Sequence, residues 1–182
     1  MLSPVKSLVR VSLLAVVLSA GLSQAQSAMH RQGYLLDGNE SDRDFVLSLH
    51  GVLPWGYFGY AGAFPIGAGA SFYVPLVRRG FLPRVNDEFG LDFGADAIFF
   101  TGYADPFAVF VPVSVLWTFH FTPTFSAYFK AGAAVRFWPG YVNAVYPDFI
   151  VGAGLSWMFA SKVGLRIEAG YPGLKIGVIF GF

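Results

Sequence analysis

From Phe45 to Phe182 hydrophobic side chains recur at every second position, the period of a strand whose two faces meet different surroundings. Eight such stripes can be read, over Phe45–Leu53, Phe64–Val74, Phe89–Phe99, Val109–Phe119, Phe125–Phe137, Phe149–Phe159, Val163–Tyr171 and Leu174–Phe182. Only Gly51 interrupts them. Between the stripes stand turn-forming residues: Pro54 and Gly56, Pro75 and Gly80, Gly102 and Pro106, Pro123, Pro139 and Gly140, Pro147, Ser161, and Pro172 with Gly173. The pattern predicts an all-β chain of eight antiparallel strands. Their lengths suit a tilted crossing of a hydrocarbon layer, which takes about 9–11 residues. The most apolar stretch, Phe107–Phe121, is too short for a spanning helix, alternates, and carries Pro112.

The opposite parity holds the charge. Asp92, Asp96, Lys130, Arg136, Arg166, Glu168 and Lys175 all lie on it, together with many glycines. That face is also a poor water surface, with Phe110, Leu116, Met158 and Ile179 among its residues. A soluble sandwich would have to turn it outward and expose large apolar patches, which soluble monomers avoid. The reverse assignment puts the charges inside a narrow barrel and the apolar stripe against acyl chains, with every backbone hydrogen bond closed within the ring. With strands running alternately up and down, Phe72, Phe89, Trp117, Phe119, Phe125, Trp157, Phe159, Phe180 and Phe182 collect at one rim. Phe64, Phe99, Phe137, Phe149 and Tyr171 collect at the other. Two aromatic girdles around an apolar band are the pattern of a transmembrane β-barrel.

Composition agrees. The 182 residues are 55% hydrophobic and 13% charged, against about 45–50% and about 25% in ordinary globular chains. The absence of cysteine excludes disulfides and thiolate metal sites. No basic face suggests nucleic acid, and no cofactor motif or metal-ligand spacing is present; Asp37–Asp42 lacks the glycine and closing glutamate of a calcium loop. The N-terminus reads as an export signal over residues 1–25, with Lys6 and Arg10 before the apolar run Val11–Leu18 and small residues at Ser23 and Ala25. Its removal takes the formal charge from +1 to −1. A polar leader over 26–44 then precedes the barrel at 45–182.

The run Leu174, Ile176, Val178, Phe180, Phe182, apolar at alternate positions and ending in an aromatic residue, resembles the terminal signal read by the bacterial barrel-assembly machinery. With the export signal and eight stripes, region 45–182 resembles the small eight-stranded outer-membrane barrels, the class of OmpX and the OmpA membrane domain. The resemblance implies outer-membrane lipid as surroundings, the assembly machinery as a partner in biogenesis, and both termini in the periplasm. Two features fit the class less simply. Pro112 removes a ladder hydrogen bond, which predicts a bulge or local distortion. Residues 75–87, with Arg78, Arg79, Arg84 and Asp87 and followed by Glu88, form a long connection on the side where turns are short.

Three sets of residues are candidates for function. The inward charges are expected to pair with one another in a lumen that eight strands leave just wide enough for side chains, or else to line a narrow channel for small solutes or hydrophobic molecules. Ser48 and His50 share the inward face of the first strand, and with Glu168 as orienting acid they would suit a lipid hydrolase or acyltransferase. Trp55, Tyr57, Phe58, Tyr60, Tyr141 and Tyr146 place uncharged aromatics in the loops opposite the termini, where a protein or hydrophobic ligand could dock. The leading expectation is a non-enzymatic structural or interaction protein with a filled lumen.

Overall fold

A computed structural model describes residues 35–36, 45–55, 64–101, 107–138 and 145–182. The expected export signal, most of the polar leader, and Tyr57, Phe58, Tyr60 and Tyr141 lie outside the described residues. Eight strands follow in order: β1 (Val46–Leu53), β2 (Pro65–Val77), β3 (Asp87–Phe100), β4 (Phe107–His120), β5 (Phe125–Phe137), β6 (Val145–Met158), β7 (Val163–Tyr171) and β8 (Leu174–Gly181). Each pairs antiparallel with its sequence neighbours, and β8 pairs with β1 to close the barrel. Valine, isoleucine and aromatic residues suit the pleated wall. The turns are short where polar atoms close them: Thr122 Oγ1 accepts the Phe125 N–H at 2.9 Å between β4 and β5, and Gly173 C=O accepts the Gly170 N–H at 3.2 Å between β7 and β8.

The alternation read from sequence is the inside–outside alternation of the wall. Leu49, Ile66, Phe129, Val151, Leu155 and Ile176 are exposed, whereas Asp92, Asp96, Lys130, Arg166, Glu168 and Lys175 are buried in the lumen. The exposed face carries the aromatic rims: Trp117 against Phe119 and Trp157 against Phe159 at the end where the chain terminates, Phe99 against Phe107 and Phe149 against Tyr171 at the other. A closed ladder with an apolar outer surface satisfies the two conditions that hydrocarbon imposes on a spanning structure.

Three prolines interrupt the wall, two of them differently from the sequence expectation and Pro112 as a local distortion of the expected kind. Pro75 does not end β2; the strand continues to Val77, and the register shifts between Pro75↔Gly90 and Val77↔Phe89. The bulge absorbs the proline's missing donor, so the connection shortens from 75–87 to 78–86, with Asp87 and Glu88 inside β3. Pro147 lies within β6, facing Val135 of β5. It is tolerated there because the ladder with β7 begins only at Val151, leaving Val145–Ile150 as an edge. At Pro112 there is an interruption without a bulge: the β3–β4 pairs stop at Phe93↔Val113 and resume in the same register at Asp96↔Phe110, while Pro112↔Ala134 holds on the β5 side.

Candidate functional site

The lumen is built in three layers. In the middle, β3 contributes Asp92 and Asp96, β5 Lys130, β7 Arg166 and Glu168, and β8 Lys175. Lys130 Nζ lies 2.7 Å from Glu168 Oε1 and 3.4 Å from Asp92 Oδ2. The Arg166 guanidinium reaches Glu168 at 3.0 Å and Asp92 at 3.4 Å, and Lys175 reaches Asp96 at 2.6 Å. Three carboxylates thus meet three cations, and the layer is neutral as a whole. Removing either sign from such a buried set would leave charge uncompensated in a low-dielectric interior. Tyr128 ties the layer together: its hydroxyl donates to Glu168 Oε2 at 2.9 Å and accepts from Arg166 Nε at 2.6 Å, with the guanidinium 4.6 Å above its ring. The ring has room because its neighbour across the ladder is Gly154; a Cβ there would lie inside the tyrosine ring.

Ser48 and His50 do come together, but with a different acid. Ser48 Oγ lies 3.3 Å from His50 Nδ1, and His50 Nε2 lies 2.8 Å from Asp96 Oδ1. Glu168, the partner expected from sequence, is instead committed to Lys130, Arg166 and Tyr128. The register decides this: the row through His50 runs over Gly69 to Asp96 on one side and over Gly177 to Arg166, not Glu168, on the other. Gly69 stands beside His50 in the ladder, and any side chain on it would strike the Asp96 carboxylate. Ser48 is 1% exposed, and the cavity it borders with His50 and Lys175 is about 10 Å³. That volume holds about one water.

Toward the terminal end the lumen becomes mixed. Tyr73 donates to Glu88 at 2.8 Å, His120 Nδ1 and Ser126 Oγ are 2.8 Å apart, and His120 Nε2 is 3.8 Å from Glu88. These groups border a cavity of about 40 Å³ beside Leu116, Tyr128 and Ile179. At the opposite end the lumen is apolar: Ile98, Phe100, Ala108, Phe110, Ala134 and Ile150 form one cluster, and Trp138 stacks on Phe100 at 5.0 Å. Arg136 does not join the central charges, contrary to expectation. It lies six residues beyond Lys130 along β5, nearer the opposite rim, and pairs with Asp148 at 2.6 Å.

The sequence reading missed Tyr73, Tyr128 and Glu88 as network members. All three carry the inward parity, and that parity was the available signal. Of the aromatic loop candidates, Trp55 and Tyr146 are described and are 42% and 51% exposed. The proposed assembly residues Leu174, Ile176, Val178 and Phe180 lie along the outward face of β8, and Phe182 stacks on Phe45 at 4.6 Å across the closing seam.

Neither a known family model nor a curated protein matches the sequence. Among solved structures, a chain described as a de novo design of transmembrane beta-barrels is 18% identical with a TM-score of 0.49, spanning 79% of this chain and 99% of its own. The outer membrane protein Ail of Yersinia pestis, in a phospholipid bilayer nanodisc, is 13% identical with a TM-score of 0.47, spanning 78% of this chain and 100% of its own.

Proposed function

We propose that the chain is an exported outer-membrane barrel that serves as a structural or interaction protein with its lumen closed by its own side chains. The observation that carries this reading is the interlocked central layer, in which Asp92, Asp96, Glu168, Lys130, Arg166 and Lys175 satisfy one another across the full width of the barrel. The apolar cluster around Phe110 adds a second closure above it. Cavities of about 10 and 40 Å³ leave space for isolated waters rather than a hydrated ion in transit. The Ser48–His50–Asp96 chain supports the same reading. A scissile carbonyl must reach the nucleophile in a catalytic arrangement, and a water-sized cavity gives an acyl chain no approach.

The working surfaces are then the lipid-facing wall and the two ends. Residues 1–25 would direct export, 26–44 would form a periplasmic leader, and Leu174, Ile176, Val178, Phe180 and Phe182 would present the strand read by the assembly machinery. The β5–β6 hairpin projects beyond β7 at the opposite end and carries Tyr146; with Trp55 it offers an uncharged aromatic surface for a protein or hydrophobic ligand.

Planar-bilayer recording of the purified, folded chain tests the filled lumen. The expected result is a membrane that stays at baseline conductance after insertion, with insertion verified by protease protection. Reproducible unitary steps would defeat the reading in favour of a narrow channel.

A further inference from the structure

Among the described strand residues, Asp87 is the one charged side chain on the outward parity, yet it is 1% exposed. The 78–86 connection covers it. Gly80 N–H donates to the Asp87 carbonyl at 2.7 Å, and both the Phe81 N–H (3.1 Å) and the Trp117 indole N–H (2.8 Å) donate to its carboxylate. Gly80 lies so close that a Cβ would strike the carboxylate. Trp117 faces outward, and the Phe81 ring meets the edge of outward-facing Phe89 at 5.6 Å. The connection therefore folds down over the outside of the wall at the terminal rim, where the apolar belt meets water.

Its exposed side chains are of two kinds. Leu76 and Phe81 are 61% and 63% exposed, and Leu82 is also exposed. Arg78, Arg79 and Arg84 are exposed among them. The carboxylates of this rim among the described residues, Asp87 and Glu88, are both buried, so its exposed side-chain charge is positive. At the opposite rim no described lysine or arginine is exposed. Arg84 also holds a φ of 118°, a backbone conformation that favours glycine.

We propose that residues 76–84 form an interfacial anchor that holds the headgroups of anionic glycerophospholipids, with Arg79 and Arg84 as the principal contacts and Phe81 and Leu82 set into the acyl boundary. Guanidinium groups match phosphate oxygens in a two-pronged geometry, and apolar residues beside cations on one short segment are the composition of an interfacial binder. The inference takes the membrane placement of the barrel as its premise and adds a lipid preference at one rim.

The test uses the full chain in vesicles of phosphatidylcholine and phosphatidylglycerol, with spin-labelled versions of each lipid competing for the barrel surface. The unaltered protein is expected to hold phosphatidylglycerol preferentially. In Arg79→Gln/Arg84→Gln the preference should fall by about fivefold for each arginine lost at low ionic strength; an unchanged preference overturns the proposal. Arg84→Gly separates lipid contact from folding: it should weaken the preference while leaving the unfolding midpoint equal or higher, and a retained preference again overturns it. If inorganic phosphate abolishes the preference where chloride of equal ionic strength does not, the site takes a free anion and the lipid assignment falls. Because the chain has no cysteine, nitroxides at Phe81→Cys and Ile176→Cys report depth cleanly. Oxygen should reach both more readily than a nickel complex does. A lipid-buried label at 176 with an aqueous one at 81 removes the anchor alone, whereas aqueous labels at both remove the membrane reading itself.

Discussion

Glu168→Leu is expected to destabilise the folded barrel by about 3–5 kcal/mol, the scale for removing one partner from a buried ion pair. Glu168 is the acceptor for Lys130, Arg166 and Tyr128 together. Without it Asp92 alone faces two cations, at 3.4 Å from each, and the tyrosine hydroxyl loses its acceptor. Unfolding in urea from detergent micelles, followed by tryptophan fluorescence, would show the lowered midpoint. Glu168→Gln should fall between the two proteins, since it keeps an acceptor for Tyr128 but no charge. Adding Lys130→Met to Glu168→Leu should recover part of the loss, because removing both partners costs far less than orphaning one. A midpoint for Glu168→Leu equal to that of the unaltered protein would mean that the lumen charges are not coupled, and the filled-lumen reading would lose its support.

Gly154→Val is expected to be similarly damaging although it adds only apolar atoms. The new Cβ occupies the position of the Tyr128 ring, and the ring cannot yield without releasing Arg166 and Glu168. Overpacking a well-filled interior costs about 1–3 kcal/mol on its own, and here the hydrogen bonds of the tyrosine are lost as well. In a Tyr128→Ala background the space is already empty, so the same valine should cost much less. A double-mutant cycle on the unfolding midpoints measures the difference; for contacting residues a coupling of about 0.5–3 kcal/mol is the expected range. Additive effects would show that ring and glycine do not share this contact.

The wall of the barrel was legible from sequence because a closed sheet between lipid and a packed lumen enforces a strict period of two. One misplaced charge on the outer face would be costly, so Asp92, Lys130, Arg166 and the rest had to keep one parity, and that parity is visible along the chain. Strand ends were less legible. Pro75 and Pro147 looked like terminators, but a bulge at Leu76 accommodates the first and an edge left where β7 stops short accommodates the second; neither is announced by the residues around the proline. Asp87 was read as part of a loop because nothing local announces that Gly80, Phe81 and Trp117 will cover it.

The lumen network was legible as a set and not as pairs. Parity tells which residues face inward; who meets whom across the barrel depends on stagger, and stagger accumulates over strands distant in sequence. That is why His50 meets Asp96 rather than Glu168, and why Arg136, six residues beyond Lys130 along β5, finds Asp148 near the rim instead of the central carboxylates. Tyr128 and Gly154 show the same limit: each looks unremarkable in its own strand, and their fit exists only once β5 lies beside β6.

The seam between the first and last strands has a consequence for how the molecule comes into being. The ring is joined along the whole of β8, from Leu53↔Leu174 to Val46↔Gly181, with the Phe182 N–H donating to the Phe45 carbonyl at 3.0 Å beyond the last pair. Until β8 is in place, β1 has one flank of amides and carbonyls without strand partners, an edge that invites pairing with other chains. Nor can the unfinished ribbon enter hydrocarbon, where those groups would go unsolvated. Docking of β8 is therefore the step that makes the sheet compatible with hydrocarbon, since it gives the last free edge its partners.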